Sequence, residues 1–432
     1  MAIDHPSMHP MARWRQKVES GKERKMLIRG RDVEAPFRME GEVCVVGSGA
    51  GGAVAAGETA VAGRKTILLE EGSYLKGTDF TQREDEMIPR IFQDQGGRTT
   101  RDMSISILQG RGVGGSTVHN TCLSFRPERA ILERWREEYG VEIGLDDLLP
   151  DIERVEKTLR VVEVKPEEVN RNNELFRLGC ERLGIPARRP FHNREDCLGC
   201  GFCELGCVFD RKRDMLNTYI PMGLAAGMTL CSDFRVERIV HRRGRVLGVR
   251  GIVLDTETGT PRHPFEIRAP RVIVAGGAIN TPVLLERSGL AGPLTGKTLH
   301  LHPSVAVAGF FREKVEGWNG TPQTIYTDHF ATFKKNGYGG YFLIPGFAHP
   351  AGTASMLPGL GRAHFTLMKR FPHMAVAGVL LHDETCGRVR AGKHGQPQIS
   401  YWPSGVDQRG LMSGIEQAAR ILLAAGAQEV LL

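Results

Sequence analysis

Val43-Cys44-Val45-Val46 is an unbroken apolar run, followed by glycines, an alanine-rich stretch and a second apolar run in Lys65-Thr66-Ile67-Leu68-Leu69-Glu70. Short apolar runs bounded by turn residues predict buried strands, so Glu42 to Gly72 reads as strand, tight turn, helix and strand. Helical spacing recurs near 128–138, 146–160 and 172–183. Strands are predicted near 235–241, 246–254 and 271–275, the last ending in Gly276-Gly277 and opening a helix whose first turn carries Pro282. These three strands are expected to return to the first sheet. From 304 to about 405 the pattern shortens into strands rich in Gly, Pro and aromatic residues, and Arg409 to Ala425 is amphipathic at helical spacing.

Composition narrows the class. The chain has 432 residues, 41% hydrophobic and 25% charged, which excludes a disordered, collagen-like or coiled-coil chain and fits two or three domain lengths. Lys plus Arg exceeds Asp plus Glu by 57 to 50, with much of the excess in tracts such as 13–31 and 241–245. Spread over so long a chain, this reads as solvated faces, and no nucleic-acid partner is expected. Residues 1–40 lack the apolar stretch of a secretory leader, and no run approaches the roughly 18 apolar residues that span a bilayer, so a soluble, cytoplasmic protein is expected. Nine cysteines, four of them between 197 and 207, suit a reducing compartment and a local metal or cluster site better than a disulfide framework.

Gly47-Ser48-Gly49-Ala50-Gly51-Gly52 satisfies GxGxxG in the required context, after a strand and before a helix. Gly47 permits the turn, Gly49 lets backbone approach a pyrophosphate, and Gly52 lets helix and strand pack, with the phosphate charge meeting the helix N-terminus. Glu70 closes the next strand, where an acid accepts hydrogen bonds from ribose hydroxyls. These features fit FAD and NAD alike. A second glycine-rich loop follows, Gly110-Arg111-Gly112-Val113-Gly114-Gly115-Ser116-Thr117-Val118-His119-Asn120, whose backbone could approach a flavin or its diphosphate. A third segment, Val272-Ile273-Val274-Ala275-Gly276-Gly277-Ala278-Ile279-Asn280-Thr281-Pro282, is another strand, glycine turn and helix start.

Together the three segments resemble the glucose–methanol–choline (GMC) oxidoreductases, which carry the FAD fingerprint, a GRxLGGSS-type loop and a GAxxTPxLLxxSG segment in this order. Ser288-Gly289 and Leu299-His300-Leu301-His302-Pro303, similar to the family's NLxDHP stretch, extend the likeness. Within the family the chain looks most like the long-chain alcohol oxidase and dehydrogenase branch, because a cysteine-rich stretch precedes Asn217-Thr218-Tyr219-Ile220-Pro221. The resemblance implies an α/β fold, a doubly wound FAD-binding domain with an antiparallel-sheet α+β substrate domain. It also implies FAD held by Gly47, Gly49, Ala50, Gly51, Gly52, Glu70, Gly112, Gly114, Gly115, Ser116, Asn120, Thr121, Val236, Gly276 and Gly277, with Asn120 beside the flavin and the Val236 backbone at the adenine.

The implied reaction is hydride transfer from the CH–OH carbon of an alcohol, through branch resemblance a lipophilic one, assisted by a histidine that takes the hydroxyl proton. In the family that histidine lies in an HxxGTxRMG motif near the C-terminus. His349-Pro350-Ala351-Gly352-Thr353-Ala354-Ser355-Met356 resembles the string but comes too early, and is read as a loop histidine. No residue here is therefore taken as the base. The apolar ending Gln428-Glu429-Val430-Leu431-Leu432 reads as an opening strand, so the catalytic histidine is expected beyond Leu432 and the chain as given is expected to turn over alcohol poorly.

Cys197, Cys200, Cys203 and Cys207 give CxxCxxCxxxC, the spacing for four thiolates around a [4Fe–4S] cluster or, with a ligand missing, a [3Fe–4S] cluster. Zinc would use the same thiolates, and reduced, metal-free cysteines are the third reading. A cluster would let electrons pass to an acceptor protein. Cys44, Cys122, Cys180, Cys231 and Cys386 are scattered, and each is expected to be a small buried hydrophobe. The expected organisation is a polar extension 1–40, FAD-binding segments 41–125 and 226–303, a helical insertion with the cysteines at 126–225, and a substrate domain 304–432. Two rival readings are an NAD-linked dehydrogenase, which has no use for the second and third segments, and a flavin-binding electron-transfer subunit without its own catalysis.

Overall fold

The computed structural model describes residues 26–331, 340–346 and 349–432; residues 1–25, most of the polar extension, lie outside the described residues. Five parallel strands form the first sheet, in the order Leu27–Arg29, Thr229–Ser232, Thr66–Glu70, Val43–Val46, Arg271–Val274. The run Val43-Cys44-Val45-Val46 is apolar throughout because both faces of its strand are covered. Val43 and Val45 join a core with Ala53, Ala56 and Ala60 of the helix Ala50–Val61, whereas Cys44 and Val46 join another core on the opposite face. Small residues let that helix lie close to the helix Tyr219–Ala225: a Cβ at Gly57 would stand 3.1 Å from the Tyr219 carbonyl oxygen.

The opposite face carries a second sheet, with strands in the order Phe37–Glu40, Pro261–Arg268, Arg245–Leu254, Phe234–Arg242. Here the structure corrects the sequence reading, because the strands expected near 235–241 and 246–254 do not return to the first sheet; only Thr229–Ser232 and Arg271–Val274 do. Their composition explains the placement. Val249 and Val253 are buried while Arg245 and Arg250 are exposed, the one-sided pattern of an antiparallel sheet laid on a core.

An antiparallel sheet of Tyr341–Pro345, Met374–Leu381, Ser304–Phe310 and Glu429–Leu431 forms a separate core. The helices Arg171–Arg182 and Gly405–Ala425 cover it, in contact through glycines: a Cβ at Gly179 would fall 2.1 Å from the Ile421 carbonyl oxygen, and one at Gly414 would fall 2.3 Å from Val379. This α/β architecture, a parallel sheet with a helix layer beside an antiparallel sheet, is the expected fold class. Among the described residues no helix is long and apolar enough to cross a membrane.

Candidate cofactor site

The three glycine segments, far apart in sequence, are in backbone contact. A Cβ at Gly52 would stand 1.8 Å from the Gly47 carbonyl oxygen, and one at Gly47 would stand 2.4 Å from that of Ala275, so the first segment is locked to the third. A Cβ at Gly115 would lie 2.8 Å from the Gly49 Cα, and one at Gly72 would lie 2.3 Å from the Gly112 amide nitrogen, so the second loop is locked to the first. Side chains are excluded at these points by backbone, not by a mobile neighbour. Gly47, Gly112 and Gly114 also have φ of 99°, 130° and 98°, the left-handed side that glycine adopts without strain.

Gly49 and Gly51 differ from the rest, since a Cβ at either would meet nothing within 4 Å. Gly49 is the N-cap of the helix Ala50–Val61, whose first amides have no partner within the helix. The open space therefore faces backbone donors and the positive end of the helix dipole, a setting for a phosphate anion. A buried polar atom also awaits a partner in the second loop: His119, 9% exposed and against Phe92 with ring centroids 4.3 Å apart, has Nε2 unsatisfied within the chain. Burial, reinforced by the Lys212 charge, pulls this imidazole down to about 3, so it is neutral at physiological pH. An open glycine cradle at a helix N-terminus fits a dinucleotide.

Glu70 ends the strand Thr66–Glu70 beside the first glycine loop, as read from the sequence. Its Oε2 accepts from the Ser48 amide at 3.0 Å and the Ser48 hydroxyl at 2.7 Å, and its Oε1 accepts from the Gly72 and Gly112 amides at 3.0 and 3.3 Å. With both oxygens so occupied, the carboxylate acts as a strut between the two glycine loops, and a ribose hydroxyl would have to share or displace these donors. Burial pushes its pKa up, against the pull of the Ser48 hydrogen bonds. Ser48, fully buried, also accepts from the Gly114 amide at 3.1 Å. Sequence reasoning passed over it as an unspecified position of GxGxxG.

Other expected residues are accounted for individually. Ser116 Oγ accepts from the Gly110 amide at 2.9 Å, closing the second loop. Asn120 is exposed, with Oδ1 accepting from the Cys122 amide at 3.2 Å, and Thr121 hydrogen-bonds Gln323. Val236 packs between the first and second sheets. Gly276 caps the helix Gly277–Ser288 beside the Gly47 turn. Arg98, 4% exposed, was missed: it donates to Asp94, Gln109, Asn280 and Gln93, joining the polar stretch before the second loop to the helix of the third segment. Nothing in its polar sequence surroundings marked it. His349 occupies the N-cap position of the short helix Pro350–Met356 and stacks on Phe202 with ring centroids 4.7 Å apart; burial pulls its pKa down to about 4.

The four cysteines of the CxxCxxCxxxC spacing come together in the fold. Cys197, Cys200, Cys203 and Cys207 line one pocket, joined by Cys122, but its cavity is only about 20 Å³, room for about one water. Among the described residues, no three His, Cys, Asp or Glu side chains are gathered so as to hold a metal ion. The sulfurs are engaged otherwise. Cys197 accepts from the Gly199 amide at 3.4 Å and Cys207 from the Arg211 amide at 3.2 Å. Cys122 and Cys203 hydrogen-bond each other, which lowers the Cys122 pKa and, with burial, raises that of Cys203 well above the usual thiol range. Lys212, 2% exposed, donates to the carbonyls of Val118, Asn120 and Cys203, at 2.7, 2.5 and 3.1 Å, tying this stretch to the second glycine loop. Of the scattered cysteines, Cys44, Cys122, Cys180 and Cys231 are buried as expected, Cys122 within the thiol pocket, and Cys386 is exposed.

The GMC oxidoreductase family model matches residues 88–304, half of the chain. An uncharacterized GMC-type oxidoreductase of Mycobacterium tuberculosis (strain ATCC 25618 / H37Rv) is 35% identical over 405 residues, covering 92% of this chain and 62% of that protein. A long-chain-alcohol oxidase of Arabidopsis thaliana is 28% identical over 419 residues, covering 91% of this chain and 54% of that protein. The chain thus spans a little over half the length of these relatives. Among solved structures, pyridoxine 4-oxidase from Mesorbium loti superposes with a TM-score of 0.65 at 16% identity, covering 90% of this chain and 83% of that one. A formate oxidase variant of Aspergillus oryzae RIB40 superposes with a TM-score of 0.65 at 13% identity, covering 90% and 82%.

Proposed function

The chain belongs to the GMC oxidoreductase family, and we propose that it binds FAD in the glycine cradle and serves the oxidation of a lipophilic alcohol at its CH–OH carbon. The observation that carries the reading is the backbone contact of Gly47–Gly52 with Gly110–Ser116 and Ala275–Gly277, with open space beside Gly49 and Gly51. Flavin binding is supported by the solved formate oxidase, in which FAD modification has been studied, and the alcohol class by the long-chain-alcohol oxidase relative.

In this reading FAD, when bound, supplies the hydride acceptor. The free amides at the start of the helix Ala50–Val61 bind the diphosphate, and Gly49 and Gly51 leave room for it. Ser48 and Glu70 hold the second loop against the first, so the cradle is formed before the cofactor arrives and little ordering entropy is lost on binding. His119, neutral and buried, offers Nε2 as a polar contact from the second loop. Asn120 stands exposed at the end of that loop, available to the isoalloxazine or to the alcohol hydroxyl. An NAD-linked reading leaves the docked second loop without a role.

Reconstitution with FAD followed by anaerobic addition of a long-chain primary alcohol tests both halves. In a chain extended to the length of these relatives, retained yellow flavin that bleaches with the alcohol is the expected result. Flavin binding without bleaching in that longer chain would remove the alcohol class, and failure to bind flavin in any preparation would remove the whole reading.

A further inference from the structure

On the surface of the antiparallel-sheet half, three side chains form a relay that the flavin chemistry does not use. Cys386 Sγ lies 3.2 Å from His300 Nε2, and His300 Nδ1 lies 3.2 Å from Asp383 Oδ1. Asp383, 7% exposed, is held by the Leu301 amide at 2.9 Å and the Tyr401 hydroxyl at 2.6 Å, both on Oδ2. An ionised carboxylate only accepts, so Nδ1 carries the imidazole proton and Nε2 faces the thiol as an acceptor. Nucleophile, base and orienting acid thus stand in the order that activates a thiol.

The backbone fixes this arrangement. Leu299 and Gly387 exchange two hydrogen bonds, at 3.1 and 2.6 Å, pinning the histidine loop to the cysteine loop. The cysteine loop is anchored in turn by Asp407, fully buried, which accepts from the Glu384 amide at 3.0 Å and from Thr385. Charged groups on this loop include Glu384, paired with Arg134 at 3.1 Å, and Arg388, exposed beyond Gly387. Cys386 is exposed whereas the other eight cysteines are buried or half-buried, so a bulky electrophile reaches this sulfur first.

We propose that Cys386, with His300 as its general base and Asp383 as the positioning residue, is a reactive thiol site that takes small disulfides in a reversible exchange. The thiol proton passes to His300 Nε2, and the thiolate attacks one sulfur of the disulfide. The Cys386–sulfur bond forms as the S–S bond of the small molecule breaks, and the departing thiolate leaves with a proton from the imidazolium. Cys386 is oxidised to a mixed disulfide and one half of the small molecule is reduced to a thiol, with no further oxidant. The reaction is independent of flavin binding.

The test uses the full chain with oxidised glutathione and 5,5′-dithiobis(2-nitrobenzoate), following the rate against pH and locating the adduct by peptide mass spectrometry. Cys386 is expected to take the first equivalent, with a rate that persists below the pH at which a free thiol, of pKa roughly 8.5, loses reactivity. H300Q is expected to lower the rate at neutral pH about tenfold or more and return the profile to that of a free thiol, and C386S to abolish the fast phase. An unchanged pH profile in H300Q would reduce Cys386 to a merely exposed thiol and overturn the proposal, as would first modification elsewhere. Should H300Q unfold, D383N decides: a pH profile of the Cys386 reaction unchanged from the parent chain overturns it too.

Discussion

The glycine cradle and the thiol pocket are neighbours joined by Lys212, yet they are built on opposite principles. In the cradle, backbone touches backbone, and what matters at Gly47, Gly52, Gly72 and Gly115 is the missing side chain. In the pocket, what matters is where each side chain goes, and Cys122, from the end of the glycine loop, stands among sulfurs from residues 197–207. Spacing alone picked out the glycines that meet in the first, whereas it left open what the cysteines of the second would touch. A glycine demanded by close approach leaves a mark at a definite position, whereas a thiol's partner depends on loops that the spacing does not determine.

The largest effect should come from breaking the cradle at its tightest point. G52A puts a methyl 1.8 Å from the Gly47 carbonyl oxygen, and a cost above about 4 kcal/mol, or no folded protein, is expected in denaturant unfolding. A G52A chain that folds normally and holds flavin would show the backbone lock to be slack. On the thiol side, K212M keeps the stem but strips the donor from three carbonyls; buried acceptors left unpaired cost about 1–3 kcal/mol each, so a total of roughly 3 kcal/mol is expected. If K212M unfolds like the parent chain, the two regions are not coupled through this ammonium.

G49V separates fold from cofactor. Its Cβ meets nothing within 4 Å and its backbone is extended, so stability should change by about 1 kcal/mol or less, a valine replacing glycine at an N-cap. Flavin affinity should fall about a hundredfold, near 2.7 kcal/mol, read by fluorescence titration. Undiminished affinity would mean that the open space is not the cofactor's.

The smallest effect is a pH dependence. Burial pulls His119 and His192 down to about 3 and His349 to about 4, so the folded chain keeps them neutral while the unfolded chain protonates them below roughly 6.5. Their contribution is fully present above that pH and is lost as pH falls towards 3, by up to about 1.4 kcal/mol per unit per site. Glu204 and Asp214, pushed up by burial to about 7 and 6, act oppositely between pH 7 and about 4, where the folded state takes the proton first. H119F removes one histidine from this balance, and its stability relative to the parent should rise by about 2 kcal/mol between pH 6.5 and 5. An equal pH slope in both chains would place the acid sensitivity elsewhere.

Much of the fold could be read directly. The apolar runs 43–46 and 66–70 predicted buried strands with a helix between them, and both strands are buried along their whole length. The helices near 128–138, 146–160 and 172–183 fall at 129–139, 145–159 and 171–182. The strands near 235–254 were found but sent to the wrong sheet. Their alternating arginines distinguished half-buried from fully buried strands, and the apolar positions between them obscured that difference. At the site, the glycines were legible, whereas Ser48 and Arg98 were not, because a hydrogen-bonding hub in a loop has no period and no composition of its own.

What the chain determined by itself is the set of places where a side chain cannot be present, together with the apolar periods that make strands and helices. Both are local demands, met within a few residues of sequence. What the tertiary structure decided is which distant groups share a proton or a donor: Glu70 as a strut between loops, Cys122 beside Cys203, and Cys386 beside a histidine 86 residues away. Hydrogen bonds act over about 3 Å, and only the folded chain brings such groups that near.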